Sequence, residues 1–304
     1  MPVKPLLIIQ MGVPPQDIIE QFGEQSRWML DAMDRGAGAD AADDGANSNT
    51  PDPMASLPAT LASPVARSEA AMTIVRPSLG EALPPPQEVA GAIITGSWHM
   101  VTDREDWSEL TAAWIREAHA CRTPMLGICY GHQLMAHALG GEVDFHPQGR
   151  ELGCYPLHLL GDISEDSVLG HLPATFDALL SHEQTVVRPP QGATVLARSA
   201  HDPHQILRYG QHALSVQFHP EFSVELMRAC INRRTDELTR EGLDAGAMLR
   251  AVQATPDAGQ ILLRFAQLAR LESPSRNAPA YQGIVHADED VLSVGTFAPL
   301  AAPI

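Results

Sequence analysis

Residues 124–133 read Pro-Met-Leu-Gly-Ile-Cys-Tyr-Gly-His-Gln, and the fold follows from how that stretch is taken. Residues 124–129 form a short, almost unbroken apolar run, the pattern of a strand buried on both faces. Residues 131–139 then repeat apolar side chains at helical spacing and stop at Gly140-Gly141, a glycine C-cap. Between the two lies Gly127-Ile128-Cys129-Tyr130-Gly131, a G-x-C-x-G turn. A nucleophile on a tight strand-to-helix turn needs small neighbours, because the adjoining elements approach closely. The helix that follows turns its positive end toward the sulfur and favours thiolate over thiol. The Tyr130 backbone N–H faces the place where an oxyanion would form. The same five residues also fit a cysteine that merely packs in a strand, so the rest of the chain has to decide.

Working outward, the strand-then-helix rhythm repeats. Residues 5–11 (PLLIIQM) and 91–95 (GAIIT) are further buried-strand runs, and a shorter one starts at Met72. Residues 17–35 and 104–121 carry helical periodicity, the first ending at Gly36. Such alternation predicts an α/β fold, an open and mostly parallel sheet with helices on both faces, which the family resemblance given below makes flavodoxin-like. Past residue 142 short strands crowd together, near 153–160, 193–198, 204–209 and 212–218, and predict a small antiparallel or mixed extension. Residues 222–240 and 245–271 read as helices. Residues 36–71 are Ala, Asp, Gly, Asn, Ser and Pro without an aromatic residue, so they bury too little apolar surface to offset ordering entropy. They are expected to be a disordered insertion and the first place a protease cuts. Residues 1–272 are expected to form one domain and residues 273–304 an extended tail.

Composition narrows the function. The chain has 304 residues, with Lys+Arg 20 against Asp+Glu 37 and a formal net charge of −17. That sign argues against nucleic-acid or anionic-membrane partners. No run approaches the ~20 apolar residues of a membrane span, and the first residues lack a signal-peptide core. A cytoplasmic protein is expected. The four cysteines include no C-x-x-C pair, so neither a disulfide framework nor a zinc knuckle is indicated. Cys121 and Cys154 are expected to pack inside.

A thiol nucleophile needs a base. Residues 215–222 read SVQFHPEF, an apolar strand ending just before His219, with Glu221 two positions on. Active sites of open parallel sheets form at the carboxyl ends of strands, where both Cys129 and His219 would sit. Glu221 would fix the imidazole tautomer and stabilise the imidazolium. His201 and His204 stand three apart, as two metal ligands can, but His-Asp-Pro-His reads as a turn between strands, and no metal or other cofactor is expected.

PMLGICYGHQLMAHALGG together with SVQFHPEF resembles the class I, or triad-type, glutamine amidotransferases, in residue type, order and spacing. GAIITGS followed by Trp107 resembles the family's oxyanion segment. SHEQTVVRPPQGATVLARS resembles the stretch before the histidine strand in the GMP synthetase glutaminase branch. The resemblance implies Cys129 as nucleophile, His219 as base and acid, and Glu221 as its orienter. It implies oxyanion donors at Tyr130 and at Gly96–Ser97, although this chain has Gly96-Ser97-Trp98 where the family usually has Gly-Gly-Pro or Gly-Pro-Gly. It places Gln133, His182, Glu183, Gly149, Arg150 and Glu151 on the substrate side. The implied reaction is hydrolysis of the glutamine side-chain amide through a γ-glutamyl thioester. A γ-glutamyl peptide or amine would use the same groups. The partner is then a small-molecule substrate, and a separate synthetase subunit that accepts the ammonia is the other partner the family suggests, since no Gly-rich phosphate loop is present.

Overall fold

The computed structural model describes residues 4–43 and 72–272. Its elements, in chain order, begin with β1 (Leu6–Ile9), α1 (Gln16–Phe22), α2 (Gln25–Asp43), β2 (Met72–Val75), β3 (Gly91–Ile94), α3 (Asp106–Ala120), β4 (Met125–Ile128) and α4 (Tyr130–Ala138). They continue with β5 (Glu142–Phe145), β6 (Glu151–Leu159), β7 (Thr175–His182), β8 (Gln184–Arg188), β9 (Thr194–Arg198), β10 (Ile206–Arg208) and β11 (Ala213–Val216). Four helices close the described chain: α5 (Val224–Arg233), α6 (Thr235–Arg240), α7 (Ala245–Ala251) and α8 (Pro256–Glu272).

The main sheet has nine strands in the order β2-β1-β3-β4-β11-β10-β9-β6-β7. From β2 to β11 every pairing is parallel, and the winding is the flavodoxin order. Strand alternation assigns each side chain to one of two cores. Leu6, Ile8 and Ile93 face Met29, Ala32 and Met33 of α2 and Ile261, Leu262 and Phe265 of α8. Leu7, Ile9, Ala92 and Ile94 face Ala112 and Ile115 of α3 and Leu134 and Met135 of α4. Runs such as LLII are apolar throughout because both faces are covered.

Beyond β11 the pairings are antiparallel. This extension is carried by the long β6–β7 ribbon, and β5 and β8 form a separate two-stranded sheet. The sequence pattern shows neither β5, β7 nor β8. Their apolar residues are interleaved with Asp177, Ser181, Gln184 and Thr185, so the runs are short, and the partners that make them strands lie far along the chain.

Three helical readings are corrected. The span expected as one helix over 17–35 breaks at Gly23, which takes φ 75°. Its second part runs past Gly36 to Asp43, into the segment expected to be structureless, through the strong helix formers Ala37, Ala39, Ala41 and Ala42. The span expected over 245–271 is interrupted before Pro256, which lacks the N–H a continuing helix needs. The readings for residues 44–71 and 273–304 lie outside the described residues. Cys121 is exposed rather than interior, because it sits just past the last turn of α3, and Cys154 is only partly buried. Among the described residues, no helix is long and apolar enough to cross a membrane.

Candidate active site

Parallel pairing brings the carboxyl ends of β3, β4 and β11 side by side, and a site forms there. Cys129 follows β4 directly, with φ 50° and ψ −101°. A non-glycine residue in this region stores strain on the order of 1–3 kcal/mol, so the surroundings must hold it. They do so from both sides. Cys129 N–H donates to the Val216 carbonyl on β11 at 2.9 Å, and Gly131 N–H donates to the Thr95 carbonyl after β3 at 3.1 Å. The flanking glycines have steric reasons. A Cβ on Gly127 would stand 2.6 Å from the Gly131 carbonyl oxygen, and one on Gly131 would run into the Ile94 carbonyl.

His219 arrives from β11 and Glu221 two residues later. The His219 Nδ1 donates to Glu221 Oε1 at 2.7 Å, and both side chains are buried. Phe222 stacks on the ring at 4.0 Å between centroids, and Arg35 donates to the Glu221 backbone carbonyl at 2.9 Å. Cys129 is close by: a Cβ on Gly96 would meet His219 Cε1 at 2.9 Å and Cys129 Cβ at 3.6 Å. Burial works against an imidazolium. The Glu221 carboxylate and the charge and hydrogen bonding of Cys129 outweigh it, raising the ring to about 10.

The Gly96–Ser97 peptide is fixed by a residue the sequence reading did not single out. Gln25, at the start of α2, donates from Nε2 to the Gly96 carbonyl at 2.9 Å and accepts from Thr95 Oγ1 at 3.1 Å. In a trans peptide the C=O and N–H point opposite ways. With the Gly96 carbonyl held by Gln25, the Ser97 N–H is turned to the other side. Tyr130 offers only its backbone, since its hydroxyl is paired with Ser108 Oγ at 2.6 Å.

Away from His219 the cleft is walled by Ser97, Trp98, Gln133, Arg150, Leu152, Ser181, His182, Glu183, Gln184 and Arg234. A buried polar network stands behind this wall. His182 donates from Nδ1 to the Gln184 carbonyl at 2.9 Å and from Nε2 to Glu151 Oε2 at 3.1 Å. Both ring nitrogens face acceptors, the arrangement that suits the protonated ring. Burial opposes its charge, but the Glu151 hydrogen bond and the Asp202 and Glu151 charges raise its pKa. Gln205 donates to the same Glu151 oxygen at 2.8 Å. Gln133 gives its amide N–H groups to the Gln184 carbonyl at 2.7 Å and to Gln217 Oε1 at 3.0 Å.

A family model described as "Glutamine amidotransferase class-I" matches residues 52–234. The chain belongs to that family. A glutamine amidotransferase from Methylobacillus flagellatus shares its fold, with a TM-score of 0.62 at 21% identity over 92% of this chain and 99% of that one. Among curated proteins, gamma-glutamyl peptidase 5 of Arabidopsis thaliana is 28% identical over 145 residues, 47% of this chain and 58% of the relative. The glutamine-hydrolysing GMP synthase of Aeropyrum pernix is 38% identical over 145 residues, 47% of this chain and 26% of the relative. The matches thus span about half or less of those relatives' lengths.

Within this class I glutamine amidotransferase fold, the residues singled out from sequence separate. Cys129, His219, Glu221, Tyr130, Gly96 and Ser97 converge at the strand ends. Gln133, Arg150, His182 and Glu183 wall the cleft. Gly149 and Glu151 do not: they line an adjoining cavity of about 640 Å³, where Gly149 accepts from His201 Nε2 at 3.0 Å. His204 donates to the Val186 carbonyl at 2.6 Å, so the two loop histidines are each tied to a backbone oxygen. Gln25, Trp98, Ser181 and Arg234 were not anticipated. Ser181 accepts the Cys129 thiol through its carbonyl at 3.7 Å. A backbone acceptor and residues far apart in sequence leave no local signature.

Proposed function

We propose that this protein hydrolyses the side-chain amide of glutamine, with Cys129 as nucleophile. The observation that carries the proposal is the strained Cys129 at the head of α4, beside a His219 that is hydrogen-bonded to Glu221 at 2.7 Å. The Cys129 thiolate attacks the γ-carbonyl carbon, and the oxyanion takes hydrogen bonds from the Tyr130 and Ser97 N–H groups. The His219 imidazolium gives its proton to the departing nitrogen, the C–N bond breaks and ammonia leaves, with a γ-glutamyl thioester on Cys129. Water then attacks the thioester carbon while His219 takes its proton. The C–S bond breaks, and glutamate and the thiolate are released. Glu221 keeps the imidazole in the tautomer that presents Nε2 to the thiol.

We read residues 1–272 as one amidotransferase domain working in the cytoplasm with reduced thiols. A γ-glutamyl peptide as substrate is the second reading, and the similarity to gamma-glutamyl peptidase 5 favours it. The test is ammonia or amine release by the purified protein on L-glutamine and a panel of γ-glutamyl amides, beside Cys129→Ala. Turnover that vanishes in the variant supports the proposal, and the preferred panel member separates the two readings. Turnover that survives in Cys129→Ala overturns the nucleophile. Silence that ends only when a synthetase is added makes the chain a subunit.

A further inference from the structure

A second cavity, of about 340 Å³, shares no wall residue with the cleft, yet it reaches the His219–Glu221 segment. Pro220 and Phe222, on either side of Glu221, line it, and so does Arg35 of α2. Phe222 is the ring stacked on His219, and Arg35 holds the Glu221 carbonyl.

The wall sets both signs of charge on an apolar lining. Arg35 uses Nη2 for the Glu221 carbonyl at 2.9 Å; among the described residues, its Nε and Nη1 carry no hydrogen bond. The side chain is exposed, so these N–H groups are open to a ligand. Glu225, in the first turn of α5, also lines the cavity and is anionic. Its own backbone N–H and the Ser223 hydroxyl, then the Arg228 and Arg35 charges, hold its carboxyl below the usual range. Ala32, Val224 and Pro256 add apolar surface.

Gly259 lines the same cavity from inside α8, where glycine is less stable than alanine. Its φ lies outside the left-handed region that favours glycine. Among the described residues, a Cβ there would meet only the Pro220 carbonyl oxygen, at 3.7 Å, an ordinary contact. Neither backbone nor packing calls for glycine here; its effect is to leave the cavity open.

We propose that this cavity binds an apolar α-amino acid, with its carboxylate on Arg35, its ammonium on Glu225 and its side chain against Phe222 and Pro256. Glu225 repels a carboxylate that brings no cation, and Arg35 repels an amine that brings no anion, so the zwitterion suits the wall better than either. The bound molecule touches Arg35 and Phe222, the two residues that hold Glu221 and His219, and its arrival is felt at that pair.

Calorimetry on the full chain tests this with L-phenylalanine, 3-phenylpropionate, which lacks the ammonium, and 2-phenylethylamine, which lacks the carboxylate. L-Phenylalanine should bind with a Kd of about 1 mM or below, and at least about 10-fold more tightly than either analogue. The chain's charge of −17 favours the amine, so the bulk field cannot produce that order. Arg35→Met should bring L-phenylalanine within about 3-fold of the amine, and Glu225→Gln within about 3-fold of the propionate. Gly259→Leu fills the cavity from a position with room for a Cβ, and should abolish binding without lowering Tm. Saturating L-phenylalanine should also move the His219 ring resonance in the NMR spectrum, because that ring lies on Phe222. No binding of L-phenylalanine, equal binding of the three probes, or unchanged binding in folded Gly259→Leu would each overturn the proposal. A His219 resonance that stays in place at saturation would overturn the link to the pair. None of these readouts uses turnover, so they answer separately from the hydrolase reading.

Discussion

Two buried histidine–glutamate pairs flank Cys129, and they are built alike. His219 meets Glu221 at 2.7 Å and His182 meets Glu151 at 3.1 Å. The difference lies in the second ring nitrogen. Among the described residues, His219 has no carbonyl there and interacts with the Cys129 side chain, which can give and take a proton. The second nitrogen of His182 is closed off by the Gln184 carbonyl, which can only accept. In the function proposed above, the first pair transfers protons, whereas the second braces the cleft wall. A His–Glu contact by itself therefore identifies nothing; the atom opposite the carboxylate assigns the task.

The contrast can be broken most decisively at the reacting side. Cys129→Ala and His219→Asn should each lower ammonia release by more than ~10^4-fold with the fold intact by circular dichroism, because members of such a unit fail together. Glu221→Gln should cost ~10^2- to 10^4-fold in kcat, since the amide permits the wrong tautomer. Glu151→Gln tests the other pair and should do the reverse. It leaves a buried imidazolium without its counter-ion, at a cost of about 3 kcal/mol in urea unfolding, while kcat falls less than about 10-fold. A kcat loss in Glu151→Gln as large as that in Glu221→Gln would erase the distinction.

Gln25→Leu removes the hold on the Gly96 carbonyl. It should lower kcat by about 10- to 100-fold with little change in KM, because an oxyanion donor acts mainly in the transition state. A change confined to KM would disconnect Gln25 from the oxyanion role proposed for the Gly96–Ser97 peptide.

The smallest effect is a pH dependence, and a third histidine sets it. His132, fully buried on α4 with Nδ1 against Ser215 Oγ at 2.7 Å, is pushed down to about 3, chiefly by burial. Its folded pKa lies below the unfolded value, so the unfolded chain binds the extra proton. Its contribution to stability is present above pH ~6.5 and is lost as pH falls toward 3. His219 has the opposite sign: the stability from its pairing is full below pH ~6.5 and lost as pH rises through about 10. Unfolding free energies of His132→Gln should fall less steeply between pH 6 and 4, by about 1.4 kcal/mol per pH unit. An unchanged slope would mean that the proton is taken up elsewhere.

The parallel half of the sheet was legible because burial on both faces leaves uninterrupted apolar runs, as in LLII and GAII. The β6–β7 ribbon was hard to read because its two faces differ, and its pairing joins Glu151 to His182 across 31 positions. Cys121 departs from the expected burial for a related reason, since one residue past a helix end decides between core and solvent.

The sequence by itself determined the winding and the elbow at Cys129, because apolar runs, glycines with no room for a Cβ and a short His-x-Glu spacing act locally. Only the tertiary structure decided which histidine interacts with the thiol, that Gln25 holds the Gly96 carbonyl, and that Arg150 is spent on three carboxylates while Arg35 holds the Glu221 carbonyl. Those outcomes depend on which polar atoms compete for the same partners across the fold. Residue type and spacing do not encode that competition.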